Sequence, residues 1–398
     1  MLRAALITIP MTGHFKRALM VTRILRRAGI EVHVFSGTAR QIAFEQEGAV
    51  FHDLYKSRPL EAADDRSLPY PMRQVGFAAR YSEGLAAEIR SLRPDVIVYG
   101  TFSVIGISVA QILQLPAVAI CAGHNMYPQR AIEVMSTDPR VHVSEECWEA
   151  IATLRDRYGI QRASPFLYYD ALSPHLNIIG EPEEFFTAED RIRFTPCVFA
   201  GAIESSRLNE SQPYRVSNKL RIYASFGTIA ANYFRDNIRQ TITAISDVFG
   251  SSKSCDTRIG LGDRDAADEL TVGSSVEVIP WADQWAELQQ ADLHITHHGL
   301  NSTHESCFHA VPMLSYPFLG DQPYLAARCQ ELGVAMHLQH GATAPVSRDR
   351  LSASFEQFLS RRHELKQRVQ EARQWELAAI RGQAAVAQAV INVAGNPC

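Results

Sequence analysis

Residues 4–9 read Ala-Ala-Leu-Ile-Thr-Ile, and Pro10-Met-Thr-Gly-His-Phe-Lys16 follows them; Ala18, Leu19, Val21, Ile24 and Leu25 then recur at helical spacing before Gly29 and the apolar run Val32–Phe35. A short apolar strand, a loop, an amphipathic helix and a second strand make one βαβ unit. Downstream the pattern repeats, with a helix over Phe77–Leu92 stopped by Pro94, a strand Val96–Tyr99, a helix Val104–Leu113 and a strand Ala117–Cys121. Strands alternating with helices predict a parallel sheet covered on both faces. After a less regular stretch from Asn125 to Tyr169, short runs at Leu176–Ile179 and Val198–Ala200 lead into a polar segment, Glu204 to Asn218. Alternation restarts at Leu220–Ser225, continues through a helix over Asn232–Phe249, and adds strands at Thr257–Leu261, Val276–Ile279, Leu293–Thr296 and Met313–Tyr316. Beyond Pro345 the periodicity is helical almost to the end. The expected organisation is therefore a domain over 1–205, a linker over 206–218, a second domain over 219–375, and a closing helix, 376–398, packing back on the first.

Composition narrows the function. The 398 residues carry 39 Lys+Arg against 43 Asp+Glu, a net charge of -4, and 46% are hydrophobic. That is ordinary globular composition, long enough for two cores with a cleft between them. No run of like charge marks a nucleic-acid or anionic-membrane partner. Seven cysteines without a Cys-x-x-Cys pair suggest thiols of a reducing compartment, and the first apolar run is too short for a secretion signal. Val96 to Gln129 holds no Asp, Glu, Lys or Arg, but Gly100, Gly106, Gln111, Gln114 and Pro116 divide it into buried strand and helix segments. A cytoplasmic protein without membrane insertion is the expectation.

Ligands in open α/β sheets bind beyond the carboxyl ends of strands, so three loops matter. The first places His14 at the mouth of the amino-terminal sheet, where it would serve as a general base or merely start a helix. The second is Phe226-Gly227-Thr228, a turn that lets backbone approach a ligand. The third is Thr296-His-His-Gly-Leu-Asn-Ser-Thr-His-Glu305, which follows a strand and opens a helix. Its bare first turn, with Asn301 and Ser302, suits a phosphate or pyrophosphate; His297 adds a donor, and Glu305 could accept from ribose hydroxyls.

Other motifs fail on spacing. His304-Glu305 and His309 lie five residues apart, which turns the second ring about 140° away from the first on a helix and argues against zinc. Asp263-Arg264-Asp265 reads as a surface turn more readily than a metal site. Gly260-Leu-Gly262 lacks the rest of a dinucleotide fingerprint, so neither NAD nor a metal is expected as cofactor.

Taken together, Trp281-Ala-Asp-Gln284, Thr296 to Ser302, Glu305, Val311-Pro312 and Pro317-Phe-Leu-Gly-Asp-Gln322 resemble the signature of the UDP-glycosyltransferase superfamily. The bacterial macrolide and antibiotic (secondary-metabolite) glycosyltransferases are the nearest likeness. This resemblance implies the GT-B fold, two doubly wound Rossmann-like α/β domains facing across a cleft with a C-terminal bracing helix, and an inverting, metal-independent transfer. By position it implies Trp281 stacking on the donor base with Gln284 beside it, Glu305 on the ribose, and His297, Gly299, Asn301 and Ser302 on the diphosphate with Thr228 nearby. Asp321 and Gln322 would take the sugar hydroxyls, His14 would be the base, and Thr101 and Phe102 would lie on the acceptor side. The partners implied are a UDP- or dTDP-sugar and a small-molecule acceptor.

The chain departs from the family pattern at four places. Gly100, followed by Thr101, stands where many members carry the aspartate that orients the catalytic histidine; Asp283, His298 and Leu325 are the other departures. The missing carboxylate keeps a non-catalytic nucleotide-sugar binder open as an alternative, beside a nucleotide-sugar 2-epimerase-like enzyme.

Overall fold

The computed structural model describes residues 1–60, 67, 70–124, 128–139, 141–210, 217–227, 234–262, 270–339 and 344–395. Seven parallel strands form the first sheet: β1 (Arg3–Ile7), β2 (Glu31–Ser36), β3 (Val50–Asp53), β4 (Val96–Gly100), β5 (Ala117–Cys121), β6 (Leu176–Ile179) and β7 (Cys197–Phe199). Their order is β3-β2-β1-β4-β5-β6-β7, with β1 central and in register Ala4↔Val32 on one side and Ala4↔Val96 on the other. Every residue of β4 and β5 is buried, as continuous apolar runs in a sheet covered on both faces require.

The second sheet contains β8 (Leu220–Ser225), β9 (Cys255–Gly260), β10 (Val276–Ile279), β11 (Leu293–Thr296), β12 (Met313–Ser315) and β13 (Ala335–His337). Its order, β10-β9-β8-β11-β12-β13, repeats the doubly wound pattern with the switch point between β8 and β11. β9 starts two residues before the expected strand Thr257–Leu261, because its register with β8 runs from Leu220↔Cys255 to Ser225↔Gly260 and leaves Leu261 beyond the ladder.

The stretch between Asn125 and Tyr169 is more regular than its sequence suggests. It holds the helices Pro128–Thr137 and Glu145–Asp156, the latter capped by Ser144, whose hydroxyl accepts from the Cys147 N–H at 3.2 Å. Cys147, Ile151 and Leu154 of that helix are buried in the core they share with the helix Arg73–Leu92. In the expected linker, Ser205–Asn209 forms a single 3₁₀ turn with the Arg207 guanidinium over the Trp285 ring.

One helix, Arg348–Gly395, serves both halves. Phe358 and Leu365 are buried with the second sheet's residues, and Val386, Ala387 and Val390 join Val21, Leu25 and Val98 in the first. A stretch of this helix is long and apolar enough to cross a membrane by length and composition. The six described cysteines are free thiols.

Candidate active site

The carboxyl ends of both sheets meet at one place. The loop after β1 leads into the helix Thr12–Arg27, and the loop after β11 leads into the helix Leu300–Phe308. These two helix starts touch. Lys16 Nζ lies 3.2 Å from Glu305 Oε1, and the buried Arg17 guanidinium donates to Asn301 Oδ1 and to the carbonyls of Gly201 and Ala202. Spacing alone had singled out His14 in the first loop; Lys16 and Arg17 were visible in the same run, but only folding shows that they point at the second motif.

The helix Leu300–Phe308 begins at Gly299 with no side chain capping it, which leaves its first-turn N–H groups and the positive dipole end for a ligand. His297 packs beneath this turn, its Nδ1 3.3 Å from the Ser225 carbonyl. Burial holds its pKa down to about 4, so the ring is neutral. A Cβ on Gly227, at φ +77°, or on Gly299 would collide with that ring, which is why both positions are glycine. Thr228 and the Asp263-Arg264-Asp265 turn lie outside the described residues.

His298 is not a ligand-facing group. Its backbone is left-handed at φ +57°, and its fully buried ring sits between the Thr303 and Ser315 hydroxyls at 3.0 and 2.7 Å. Two side-chain hydrogen bonds thus hold a conformation that costs a non-glycine residue about 1–3 kcal/mol.

Gln284 is turned inward. Its Oε1 accepts from the Ser225 and Ser302 hydroxyls, both at 3.1 Å, and its Nε2 donates to Glu305 Oε2 at 2.6 Å. With Lys16 on the other oxygen, both carboxylate oxygens of Glu305 are held in place. Asp283 caps the short helix that carries Gln284, accepting from Ala286 N–H at 3.4 Å. Trp281, just before it, is 60% exposed and presents an open indole face.

The loop after β12 ends at Asp321 and Gln322. Gln322 Oε1 accepts from the Phe318 and Leu319 N–H groups at 2.9 and 3.2 Å and so shapes the loop itself. Asp321 Oδ2 accepts from the His124 N–H at 2.8 Å, a contact between the two halves of the chain. Burial raises the Asp321 pKa. Leu325 is fully buried and plays a packing part.

Behind this loop runs a chain of buried ionisable groups that spacing could not reveal. His124 Nδ1 is 2.9 Å from Glu181 Oε2; His304 donates from Nε2 to Glu181 at 3.0 Å and from Nδ1 to Glu376 Oε1 at 2.6 Å. Four separate segments contribute one residue each. Burial opposes charge on His304, but Glu376 and Glu181 outweigh it and raise its pKa to about 9. Burial likewise opposes ionisation of Glu181, yet His124 and His304 hold its pKa down to about 2. His309 stands apart from this chain, packed edge-on against Trp285 with ring centroids 4.3 Å apart.

On the amino-terminal side the His14 ring lies 4.2 Å from that of Phe102, centroid to centroid. Burial depresses its pKa to about 4, and its Nδ1 has no hydrogen-bond partner among the described residues. Thr101 is buried with its N–H on the Ile120 carbonyl at 3.1 Å. Phe102 meets Tyr168 and Tyr169 edge to face, at 5.1 and 6.1 Å between centroids. Tyr168 and Phe166 are core residues, Tyr169 is half-buried, and Met126 lies outside the described residues.

Two doubly wound parallel-sheet domains joined along their strand ends, with an uncapped helix start at their meeting, form the GT-B fold. The comparisons agree. Residues 263–362 match the family model described as UDP-glucoronosyl and UDP-glucosyl transferase. An uncharacterized UDP-glucosyltransferase, YdhE of Bacillus subtilis, is 23% identical over 340 residues, covering 82% of this chain and 83% of its own. The glycotransferase of kitacinnamycin superposes with a TM-score of 0.79 at 22% identity over 98% of both chains. CalG4, the calicheamicin glycosyltransferase, superposes at 0.74 with 18% identity over 99% of each. The resemblance read from the signature is thereby borne out: residues 263–362 match that family model, and the whole chain has the fold of the antibiotic glycosyltransferases.

Proposed function

We propose that the chain transfers a sugar from a UDP- or dTDP-sugar to a small, natural-product-like acceptor, with inversion and without a metal ion. The observation that carries this reading is the uncapped start of the helix Leu300–Phe308, ringed by His297, Asn301, Ser302, Lys16 and Arg17. Backbone N–H groups, a helix dipole and two cations meet the charge that develops on a departing diphosphate, which is the task a divalent ion performs elsewhere. In this reading Trp281 stacks on the base, and Glu305, fixed by Gln284, takes the ribose. Asp321 takes sugar hydroxyls, with Gln322 shaping the loop beside it. His14 faces the opposite side of the anomeric carbon and accepts the acceptor's proton, as inversion requires. The antibiotic names of the similar structures support a natural-product acceptor. A cytoplasmic location accords with the free thiols.

Calorimetric titration with UDP, dTDP and GDP tests the donor side. Binding of a pyrimidine diphosphate that survives EDTA and is lost in Asn301→Ala and Trp281→Ala supports the reading. No binding by any of the three refutes it.

A further inference from the structure

The carboxylate of Asp321 is held from outside its own domain. Asp321 stands at the start of the helix Gln322–Glu331, where an aspartate ordinarily caps, yet its side chain makes no capping hydrogen bond there. Its Oδ2 instead accepts the His124 N–H at 2.8 Å, from the loop after β5 of the first domain. Gly123 in that loop comes so near that a Cβ on it would stand 2.9 Å from the same oxygen, closer than side-chain carbons approach. Two adjacent residues of one domain thus cradle a carboxylate of the other.

The cradle has an anchor of its own. His124 Nδ1 lies 3.0 and 2.9 Å from the two oxygens of Glu181, a fully buried residue just past β6. Glu181 in turn accepts from His304, which Glu376 of the closing helix holds at 2.6 Å. Stability alone does not account for such a chain: apolar residues of similar volume commonly hold a buried interface as firmly, whereas charges paired one to one admit a single register. What that register fixes at its open end is the His124 N–H, and through it Asp321. Among the described residues, no side-chain hydrogen bond joins the chain to Trp281, Gln284, Asn301 or Ser302, so its pull falls on the sugar side of the site rather than on the nucleotide.

We infer that His124 and Glu181 are positioning residues for the donor sugar: they fix Asp321 from across the cleft, so that the first domain shares in choosing the sugar. The inference rests on the glycosyl-transfer reading above and deepens its sugar subsite. Neither residue needs to touch the sugar. His124 presents its N–H, Glu181 keeps the His124 ring from turning, and Asp321, with one oxygen committed to that N–H, meets sugar hydroxyls in one orientation. A carboxylate free to rotate would accept from epimeric hydroxyls alike; one held in place favours the epimer whose hydroxyl lies along its remaining lone pairs.

The test is calorimetric titration of the full chain with UDP and dTDP and with their glucose, galactose and rhamnose conjugates, read as the affinity for each nucleotide-sugar relative to its parent diphosphate. His124→Ala frees the loop, and Gly123→Ala pushes a methyl group onto Asp321 Oδ2. Each should weaken the tightest nucleotide-sugar at least about tenfold, the loss of a hydrogen bond to a charged group, and flatten the preference among the sugars. The parent diphosphate should change by less than about twofold, as expected of a separate subsite, which also verifies folding. His124→Asn carries an amide N–H where Nδ1 stands and should restore both affinity and preference. In Asp321→Ala the further change His124→Ala should add nothing, since the two act through one contact. Equal losses for nucleotide-sugar and diphosphate, an unchanged sugar preference in His124→Ala and Gly123→Ala, or full additivity with Asp321→Ala would each overturn the inference. Failure of the unmodified protein to bind either diphosphate would instead refute the donor reading beneath it.

Discussion

Replacing His304 with glutamine removes the central charge of the buried chain Glu376–His304–Glu181–His124. Glu181, His304 and Glu376 are wholly buried, so the carboxylates lose their cation without gaining water. Breaking a buried pair in this way costs about 3–5 kcal/mol. The pH dependence gives an independent check on that figure. His304 has a pKa of about 9 in the folded protein against 6.5 as its ordinary value, so its stabilisation is complete below about 6.5 and is lost as pH rises through about 9. The difference between those values corresponds to about 3 kcal/mol. Urea unfolding of the unmodified protein and His304→Gln at about pH 6, 8 and 10 should therefore show a deficit of at least about 3 kcal/mol at the lowest pH that shrinks as pH rises. A deficit below about 1 kcal/mol, or one that stays constant across the series, would refute the assignment of His304 as the charged hub of this interface.

Three further outcomes follow from the site. Gly227→Ala forces a side chain into the His297 ring at φ +77°, and should weaken pyrimidine diphosphate binding at least tenfold, about 1.4 kcal/mol by calorimetry; unchanged affinity would separate His297 from the donor site. Lys16→Met should change stability by less than about 1 kcal/mol, since the Lys16–Glu305 pair is partly exposed, yet weaken UDP or dTDP about tenfold and the free nucleoside by less, because Gln284 still holds Glu305. Equal losses for nucleoside and diphosphate would place Lys16 away from the phosphates. The catalytic pH profile should stay flat on its acid side down to about pH 4, because His14 remains in its neutral, proton-accepting form above that value. A break near the ordinary histidine value of about 6.5 would show that His14 is hydrated or charge-partnered in solution.

Much of the fold could be read from one-dimensional pattern. Successive apolar residues in β4 and β5 meant strands buried on both faces, and the interruption of that charge-free stretch by glycine, glutamine and proline meant strand and helix rather than a membrane span. The helix start after β11 was equally legible, since Gly299, Asn301 and Ser302 are adjacent in sequence. Where local signals were weak, the reading was too. The helix Glu145–Asp156 owes its place to packing against Arg73–Leu92, and the bounds of β9 follow from its register with β8.

Sequence by itself determined the two alternating α/β halves, the strand-end loops and the residue types gathered at the helix start after β11, because each of these is a short-range property of neighbouring residues. Only tertiary structure decided which groups face one another across the cleft. Lys16 reaches Glu305 over 289 positions, Asp321 takes the His124 N–H over 197, and Glu181, His304 and Glu376 converge from three segments. Nothing in local spacing encodes such meetings. They arise when two sheets bury their flanking helices and bring their carboxyl ends together, and burial then sets the charge state of the groups that meet there: His304 charged, His297 and His14 neutral.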